Sequence, residues 1–291
     1  MQTQKLDSIL RRQYDKCLEC SKTIRQSFDI EAIHAFRVET KRLRTLLRLA
    51  AAAPHSHIKP KLPRNLKVFY TLTGILRNLQ LQQKALEDAA ARLHQGLPAN
   101  CIALLDDRIA FTKHTILIYR TSTHPLGRPR PEWYNPISTR TVNAARESFI
   151  IQKTEAAAFL PADRMPDEEQ LHTIRKAMKD LLYAWPYLSK ATIQQSLALG
   201  LPDRKNLRKV TDLLGDLLDC NVCLSLLQDK IFLLSTCPSS AKFLEDAGKL
   251  WSGDKQTLLQ KIKEMAQMPV NKENPLSPVN LSTGSYELHV D

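Results

Sequence analysis

A histidine and a series of basic residues recur at helical spacing early in the chain. The basic side chains stand three, four and seven positions apart in the segment His34-Ala-Phe-Arg37-Val-Glu-Thr-Lys41-Arg-Leu43-Arg44. At about 100° per residue, such side chains share one face of an α-helix. They could bind phosphate oxygens, because the planar fork of arginine matches phosphate and lysine adds a compact charge. The predicted stripe consists of His34, Arg37, Lys41, Arg44 and Arg48, with Arg42 beside it.

The same pattern returns 138 positions later, in the segment His172-Thr-Ile-Arg175-Lys-Ala-Met-Lys179-Asp-Leu181. A second pair of segments, Arg64-Asn-Leu-Lys67 and Lys205-Asn-Leu-Arg208, lies 141 positions apart, and each is followed by a leucine and a glycine at the same spacing. Two ordered matches at nearly one offset are typical of an internal duplication. The candidate basic residues outside the first stripe are Lys61, Arg64, Lys67, His172, Arg175, Lys176, Lys179, Arg204, Lys205, Arg208 and Lys209.

Helical periodicity runs through almost every long segment and predicts the elements that position these residues. Apolar residues recur every three to four positions over 6–28 and again over 29–53, and Asp29 is predicted to cap the second of these helices. On the second of these helices Phe36, Leu43 and Leu47 lie about 130° from the basic stripe, so one face is suited to a core and another to a ligand. Only eight glycines occur, which disfavours a turn-rich β fold. We predict an all-α fold, with further helices over about 63–94, after Pro98 to about 119, and over about 137–160, 167–186, 204–234 and 239–266.

Proline and glycine concentrate between the two copies of the pattern. Residues 121–136 hold four prolines and a glycine and are predicted to connect two halves, 1–120 and 137–266. Trp133 of this connector is expected to pack onto a helical bundle. The last stretch, 267–291, has three prolines and no periodicity, so we expect a disordered tail.

The composition favours a globular protein with an anionic partner. Hydrophobic residues make up 43% of the 291, and the formal net charge of +12 points to nucleic acid, an acidic membrane surface or a phosphate polymer. The first 30 residues contain no apolar leader core, and no apolar run is long enough to predict a membrane span. A soluble, cytoplasmic protein with six reduced cysteines is therefore expected.

The residue types of the stripes bear on which anion they bind. The stripes contain no aromatic residue for stacking bases and no Asn or Gln pair for reading base edges. Because binders of single-stranded nucleic acid generally need aromatic platforms, the stripes favour an anion that has charge and no bases. A membrane surface is disfavoured, since the face opposite the stripe is needed for the core. Binding of RNA or DNA through phosphates alone is the principal alternative.

Metal and catalytic sites are less well supported. A divalent cation at His34 or His172 would be repelled by the neighbouring basic residues. The pairs Cys17-x-x-Cys20 and Cys220-x-x-Cys223 lie 203 positions apart within helical patterns, which indicates structural cysteines rather than zinc ligands. Neither a P-loop nor the motifs G-x-S-x-G and H-E-x-x-H occur, and few acids lie near the stripes to hold Mg²⁺. We predict a binding protein with no catalytic residue, metal or cofactor.

Both copies of the basic pattern resemble motifs of the CHAD family, named for conserved histidines in an α-helical domain. The first family motif reads like H-x-x-R-V-x-x-K/R-R-L-R, and the segment from His34 to Arg44 matches it throughout. The second reads like H-x-x-R-K-x-x-K-x-L-R-Y and is matched from His172 to Tyr183, except that Leu182 stands where arginine is usual. The resemblance covers roughly residues 5–266.

A later family motif, L-G-x-x-R-D, is matched only in part. In the first half Gly74 and Arg77 are followed by Asn78, where the family has Asp. In the second half Leu218 stands in place of the arginine, and Asp219 is kept.

The resemblance has consequences for fold and function. It implies two four-helix bundles related by a pseudo-two-fold axis, with basic helices facing a shared groove or pore. It also implies that this groove binds inorganic polyphosphate and that the protein is associated with polyphosphate granules. Some relatives join this module to a triphosphate-tunnel enzyme domain marked by E-x-E-x-K, a motif absent here, so a stand-alone binding module is expected.

Overall fold

The described part of the chain is predominantly helical. The computed structural model describes residues 6–53, 56, 58–120, 126, 133, 139–157, 166–198, 203–234 and 238–267, and these contain no β-strand. The predicted all-α class is confirmed. The helices are α1 (Leu6–Ser27), α2 (Ile30–Ala51), α3 (Arg64–Leu93), α4 (Ala99–Arg120), α5 (Thr139–Ala157), α6 (Glu168–Ala184), α7 (Lys190–Ala198), α8 (Arg204–Leu226), α9 (Lys230–Leu234) and α10 (Pro238–Gln267), and a 3₁₀ turn, Trp185–Tyr187, follows α6.

Aspartates cap three of the helices that carry basic residues, namely α2, α6 and α8. The carboxylate of Asp29 accepts a 3.0 Å hydrogen bond from the backbone N–H of Ala32, which confirms the predicted cap of α2. Asp167 and Gln170 form a reciprocal capping box at α6, and Asp203 accepts hydrogen bonds from two backbone N–H groups at the start of α8. These caps satisfy N–H groups that have no partner within the helix.

The second half departs from the predicted helices in two places. The helix predicted over 204–234 is divided into α8 and α9, because the carboxylate of Asp229 accepts a hydrogen bond from the N–H of Phe232 and so begins a new helix. Helix α7 is absent from the prediction. Its start signal is Ser189, whose hydroxyl accepts a hydrogen bond from the N–H of Thr192.

The connector and the tail are described only at a few positions. Of residues 121–136, Leu126 and Trp133 are described, and the predicted tail beyond Gln267 lies outside the described residues. Trp133 is fully buried, and its ring meets that of Tyr14 edge-on at a centroid distance of 5.9 Å. The expected packing of Trp133 onto the helices is therefore confirmed.

Among the residues that the structure describes, apolar side chains pack into three clusters. The first lies mainly among α1, α2 and α3 and contains Phe36, Leu43 and Leu47, each fully buried as predicted. The second lies among α5, α6, α8 and α10 and contains Ile174 and Leu181. The third joins α3 and α4 to α8, α9 and α10. Packing thus uses the apolar faces of α2 and α6 and leaves their basic faces outside the core.

The helices that carry the two basic stripes are neighbours. Helix α2 packs against α6, and α3 packs against α8. We call the place where α2 and α6 meet the crossing. None of the described helices is long and apolar enough to pass through a membrane.

Candidate functional site

Lys41 lies where the stripe of α2 meets that of α6. Its side chain is half-buried and close to the cationic groups of Arg37, Arg175 and Lys179. Burial, followed by repulsion from these three cations, lowers the pKa of Lys41 to about 8. Asp219 of α8 has a smaller, opposite effect. The crossing therefore concentrates positive charge that the acids of the protein offset only in part.

The two histidines lie beside these cations. Burial lowers the pKa of His34, and the next largest cause is repulsion by Arg77 of α3. Burial also lowers the pKa of His172, followed by repulsion from Lys176. Both imidazoles are therefore mostly neutral at pH 7. An anion that neutralised the surrounding cations would favour their protonated forms.

Arg37 is held by a backbone carbonyl, an aromatic ring and a glycine. Its Nη1 donates a 2.7 Å hydrogen bond to the carbonyl oxygen of Tyr70, and its Cζ lies 4.4 Å from the centroid of the Tyr70 ring. A Cβ atom at Gly74 would stand only 2.6 Å from the same Nη1. In the second half the guanidinium of Arg175 lies against Gly215, where a Cβ atom would be 3.4 Å away. An arginine of each stripe thus lies against a glycine, but only Gly74 leaves space that a Cβ atom would take from the arginine.

Arg48, predicted to contact phosphate, is engaged by an acid of the protein. Its Nη1 lies 2.7 and 2.8 Å from the two carboxylate oxygens of Asp180. The hydroxyl of Thr45 donates a 2.7 Å hydrogen bond to Asp180, and Nζ of Lys153 lies 3.0 Å from it. The Asp180 side chain is only 6% exposed, so these partners take the place of water around its carboxylate. This Asp180 cluster (Thr45, Arg48, Lys153 and Asp180) ties α2 to α5 and α6.

A basic pocket of about 340 Å³ opens beside the crossing, between α1, α2, α6, the 3₁₀ turn and α8. Two of its cations have acidic partners: Arg42 pairs with Glu39, and Nζ of Lys179 lies 3.1 Å from a carboxylate oxygen of Asp212. The rings of Tyr183 and Tyr187 also line it. The cations that line the pocket are Lys16, Arg42, Lys179, Arg204 and Arg208.

Of the predicted residues, Arg48 belongs to the Asp180 cluster, and Arg42, Arg204 and Arg208 line the basic pocket. The structure divides the others into two sets. Around Lys41 it gathers His34, Arg37, His172, Arg175 and Lys179, with Lys176 beside His172, and Arg44 joins them through the ring of Tyr70, 5.8 Å from its Cζ. The second set is exposed, and no described contact joins it to the crossing or to the pocket. Its members are Lys61, Arg64, Lys67, Lys205 and Lys209.

Three further residues of this site are missing from the predicted set. Tyr70 and Arg77 share a face of α3 with Gly74, at spacings of four and three residues, so helical periodicity could have found them. Tyr183 stands four residues after Lys179 and lies near the guanidinium of Arg42, whose Cζ is 5.9 Å from the ring centroid.

The cysteines lie apart from this chemistry. Cys17 is buried, as expected for a structural cysteine, and burial raises its pKa to about 12. Cys20, Cys220 and Cys223 are half-buried, and all four thiols are free. Among the described residues, no three His, Cys, Asp or Glu side chains come together in a way that could hold a metal ion.

Two helices with basic stripes thus meet in an all-α fold, which defines a class of helical domain with concentrated positive charge. The chain belongs to the CHAD family, since the CHAD domain model matches residues 8–228.

Solved structures share the fold. PptA from Streptomyces chartreusis superposes with a TM-score of 0.63 at 16% identity, over 90% of this chain and 97% of that chain. The crystal structure of the CHAD domain from the plant Ricinus communis superposes with a TM-score of 0.60 at 18% identity, over 90% of each chain. At such identities the likeness shows the fold alone. No curated protein matches the chain.

Proposed function

We propose that this protein binds inorganic polyphosphate at the crossing and does not alter it chemically. The observation that carries the proposal is the cationic cluster around Lys41, where burial, followed by repulsion from neighbouring cations, lowers the pKa of that lysine to about 8. A chain of phosphates carries a negative charge at every unit, so it would relieve this repulsion along its length. The CHAD family is associated with polyphosphate binding in general, which agrees with the proposal.

The proposed contacts follow from which cations remain available. Arg48 is left out, because its guanidinium is held by Asp180, whose side chain is only 6% exposed. Arg42 and Lys179 also pair with acids, but they line the open basic pocket and are kept. The exposed residues of α3 and α8 would extend the surface for a longer chain. The proposed contacts are His34, Arg37, Lys41, Arg42, Arg44, Arg77, His172, Arg175, Lys176 and Lys179, with Arg204 and Arg208 at the pocket.

Nucleic acid is the second candidate, because the structure places tyrosines beside the stripes. Guanidinium groups already lie near these rings: Arg37 and Arg44 near Tyr70, and Arg42 near Tyr183. A base would have to displace an arginine in order to stack there, which favours a ligand without bases.

We also infer that the fold is an internal duplication whose halves are related by a pseudo-two-fold axis. At the offset of 138, Arg42 corresponds to Asp180 and Thr45 to Tyr183. The contact between Thr45 and Asp180 is therefore the counterpart of the contact between Arg42 and Tyr183. Reciprocal contacts of this kind arise about a two-fold axis. The arginine–glycine contact that occurs in each half supports the same inference.

A competition experiment tests the proposed ligand. The purified protein would be titrated with long-chain polyphosphate at two salt concentrations, with single-stranded RNA of matched charge as competitor. We expect polyphosphate to bind more tightly, RNA to displace it poorly, and affinity to fall steeply with salt because counterions are released. If RNA binds as tightly or better, the site is a general polyanion surface and the nucleic-acid candidate replaces ours.

Binding should be coupled to proton uptake. Lys41, His34 and His172 have lowered pKa values, and a bound polyanion would raise them. Affinity should therefore increase as the pH falls towards about 8 from above, level off once free Lys41 is protonated, and increase again as the histidines titrate. Calorimetry at pH 8 in buffers of different ionisation enthalpy should show net proton uptake that the variant Lys41→Met lacks. Binding without proton uptake at pH 8 would contradict this linkage.

Gly74→Ala should weaken polyphosphate binding by about tenfold, because the new Cβ atom would displace the guanidinium of Arg37 and remove one charge-assisted contact. Gly215→Ala is the matched control: its Cβ atom fits at 3.4 Å from Arg175, so affinity should change by less than about twofold. Alanine favours a helix interior over glycine by up to about 1 kcal/mol, so both variants should fold. Equal losses in the two variants would exclude this role for Gly74.

Two further expectations complete the proposal. Polyphosphate incubated with the protein should keep its length. Release of orthophosphate in proportion to the amount of protein would show that the protein is an enzyme instead.

A fluorescent fusion should localise to polyphosphate granules in cells, whereas a fusion in which Lys41 and Lys179 are replaced by alanine should be distributed evenly through the cell.

A further inference from the structure

The two ends of the crossing are not alike. At the offset of 138, Thr45 and Arg48 correspond to Tyr183 and Pro186. At one end of the crossing, Thr45 forms a hydrogen bond and Arg48 a salt bridge with the buried carboxylate of Asp180, so these side chains fill that end. Tyr183 and Pro186 instead line the basic pocket. A bound phosphate chain would therefore meet a closed salt-bridge cluster at one end and an open basic cavity at the other.

The pocket keeps uncompensated positive charge. Lys16, Arg204 and Arg208 form no ion pair with an acid among the described residues, although each lines the cavity. They come from α1 and α8, so their charges converge from two sides. Burial raises the pKa of Tyr183, so its hydroxyl stays protonated and can donate a hydrogen bond. The cavity thus offers both charge and hydrogen-bond donors to a compact anion.

The pocket is continuous with the crossing, because Lys179 belongs to both: it lines the cavity and is one of the cations near Lys41. The cavity volume of about 340 Å³ is near the lower end of the roughly 300–1,000 Å³ of small-molecule sites. Leu182 and Pro186 supply apolar wall. This geometry suits a small group of concentrated charge better than an extended chain.

We propose that the basic pocket binds the terminal phosphate of a polyphosphate chain and so gives the bound chain a direction. The proposal rests on the proposed function of the crossing. A terminal phosphate has a second ionisable oxygen and carries about −1.5 to −2 charges near pH 7, whereas an internal phosphate of the chain carries one. The ammonium, guanidinium and hydroxyl donors that converge on the pocket should bind this more highly charged group more tightly than an internal phosphate. A free oligophosphate presents the same terminal group.

Chains with capped ends test the proposal. The full-length protein would be titrated calorimetrically with polyphosphate of one short length in two forms, with free ends and with each terminal phosphate converted to an alkyl phosphoramidate. The caps remove one charge from each end and leave the internal phosphates unchanged. We expect the free-ended form to bind about tenfold more tightly, which corresponds to roughly one charge-assisted contact.

Two lysines of α1 provide the variant and its control. Lys16 lines the pocket, whereas Lys22 is paired with Glu19 outside it, and both are exposed, so both variants should fold. Lys16→Ala should reduce the preference for free ends to about twofold, and Lys22→Ala should leave it near tenfold. Tripolyphosphate distinguishes the sources of the terminal group. If tripolyphosphate binds tightly and Lys16→Ala weakens its binding, the pocket accepts free oligophosphates. If tripolyphosphate binds weakly while long chains still bind better with free ends, the pocket binds a terminal phosphate only when the rest of the chain is held at the crossing.

Several results would overturn the proposal. Equal affinity of the wild-type protein for capped and free-ended chains would show that ends are not recognised, while tight binding of both forms would leave the function of the crossing intact. Equal effects of Lys16→Ala and Lys22→Ala would show that net charge, and not the pocket, causes the preference. If neither form bound, the function proposed for the crossing would itself fail.

Discussion

Replacing Lys41 and Lys179 together with alanine should weaken polyphosphate binding by about 100-fold or more. The two lysines come from different halves and lie close together at the crossing. Each would make a charge-assisted contact worth about 1.5–3 kcal/mol, and about 1.4 kcal/mol corresponds to a factor of ten in affinity. Calorimetric titration at one fixed salt concentration measures the loss.

The folded state should tolerate this double change. Because the pKa of Lys41 is lower in the folded chain than the ordinary value of 10.5, its protonation opposes folding below about pH 8, and the penalty fades as the pH rises towards 10.5. Its removal should therefore not lower the free energy of unfolding at pH 7. Lys22→Ala with Lys263→Ala removes the same net charge at exposed positions away from the crossing. If that control weakened binding as much, the crossing would have no special role.

Asp180→Ala should lower the free energy of unfolding by about 3 kcal/mol. The substitution leaves Arg48 and Lys153, whose side chains are 30% and 22% exposed, without their anionic partner. Breaking a buried ion pair by removal of one member typically costs about 3–5 kcal/mol, and the partial exposure of these cations favours the lower end. Urea unfolding followed by circular dichroism measures the change.

Asp212→Ala is the control for Asp180→Ala. Asp212 also pairs with a lysine of another helix, at 3.1 Å from Nζ of Lys179, but its side chain is 59% exposed. Exposed pairs contribute about 0–1 kcal/mol, so this variant should unfold almost as the wild-type protein does. Similar losses of stability in both variants would mean that the Asp180 cluster does not hold the halves together.

Features that depend on one helix at a time could be predicted from the sequence. The basic and apolar faces of α2 follow from periodicity, and the structure buries Phe36, Leu43 and Leu47 as expected. The cap at Asp29 follows from residue type and position. In both cases the interacting groups lie within a few turns of each other, so spacing determines their geometry.

Features that depend on two distant segments could not be predicted. By spacing alone Arg48 belongs to the stripe, yet its partner Asp180 stands 132 positions away on another helix. The basic pocket likewise depends on how α1 and α8 pack beside α6, which brings Lys16 and Arg208 to one cavity. Periodicity shows which residues share a face of one helix, but it does not show which side chains of another helix pack against that face.

The crowding of cations around Lys41 also has a consequence for how much folded protein a cell can hold. A ligand that binds only the folded chain raises its stability by RT ln(1 + [L]/Kd), about 2.7 kcal/mol at a hundred times Kd. Here the ligand would also offset the repulsion among the cations near Lys41, which adds to burial in lowering its pKa, so the empty protein is the less stable form. When phosphate reserves are depleted, the unliganded chain should unfold more often and be degraded faster by proteases. The abundance of the protein would then follow the supply of its own ligand.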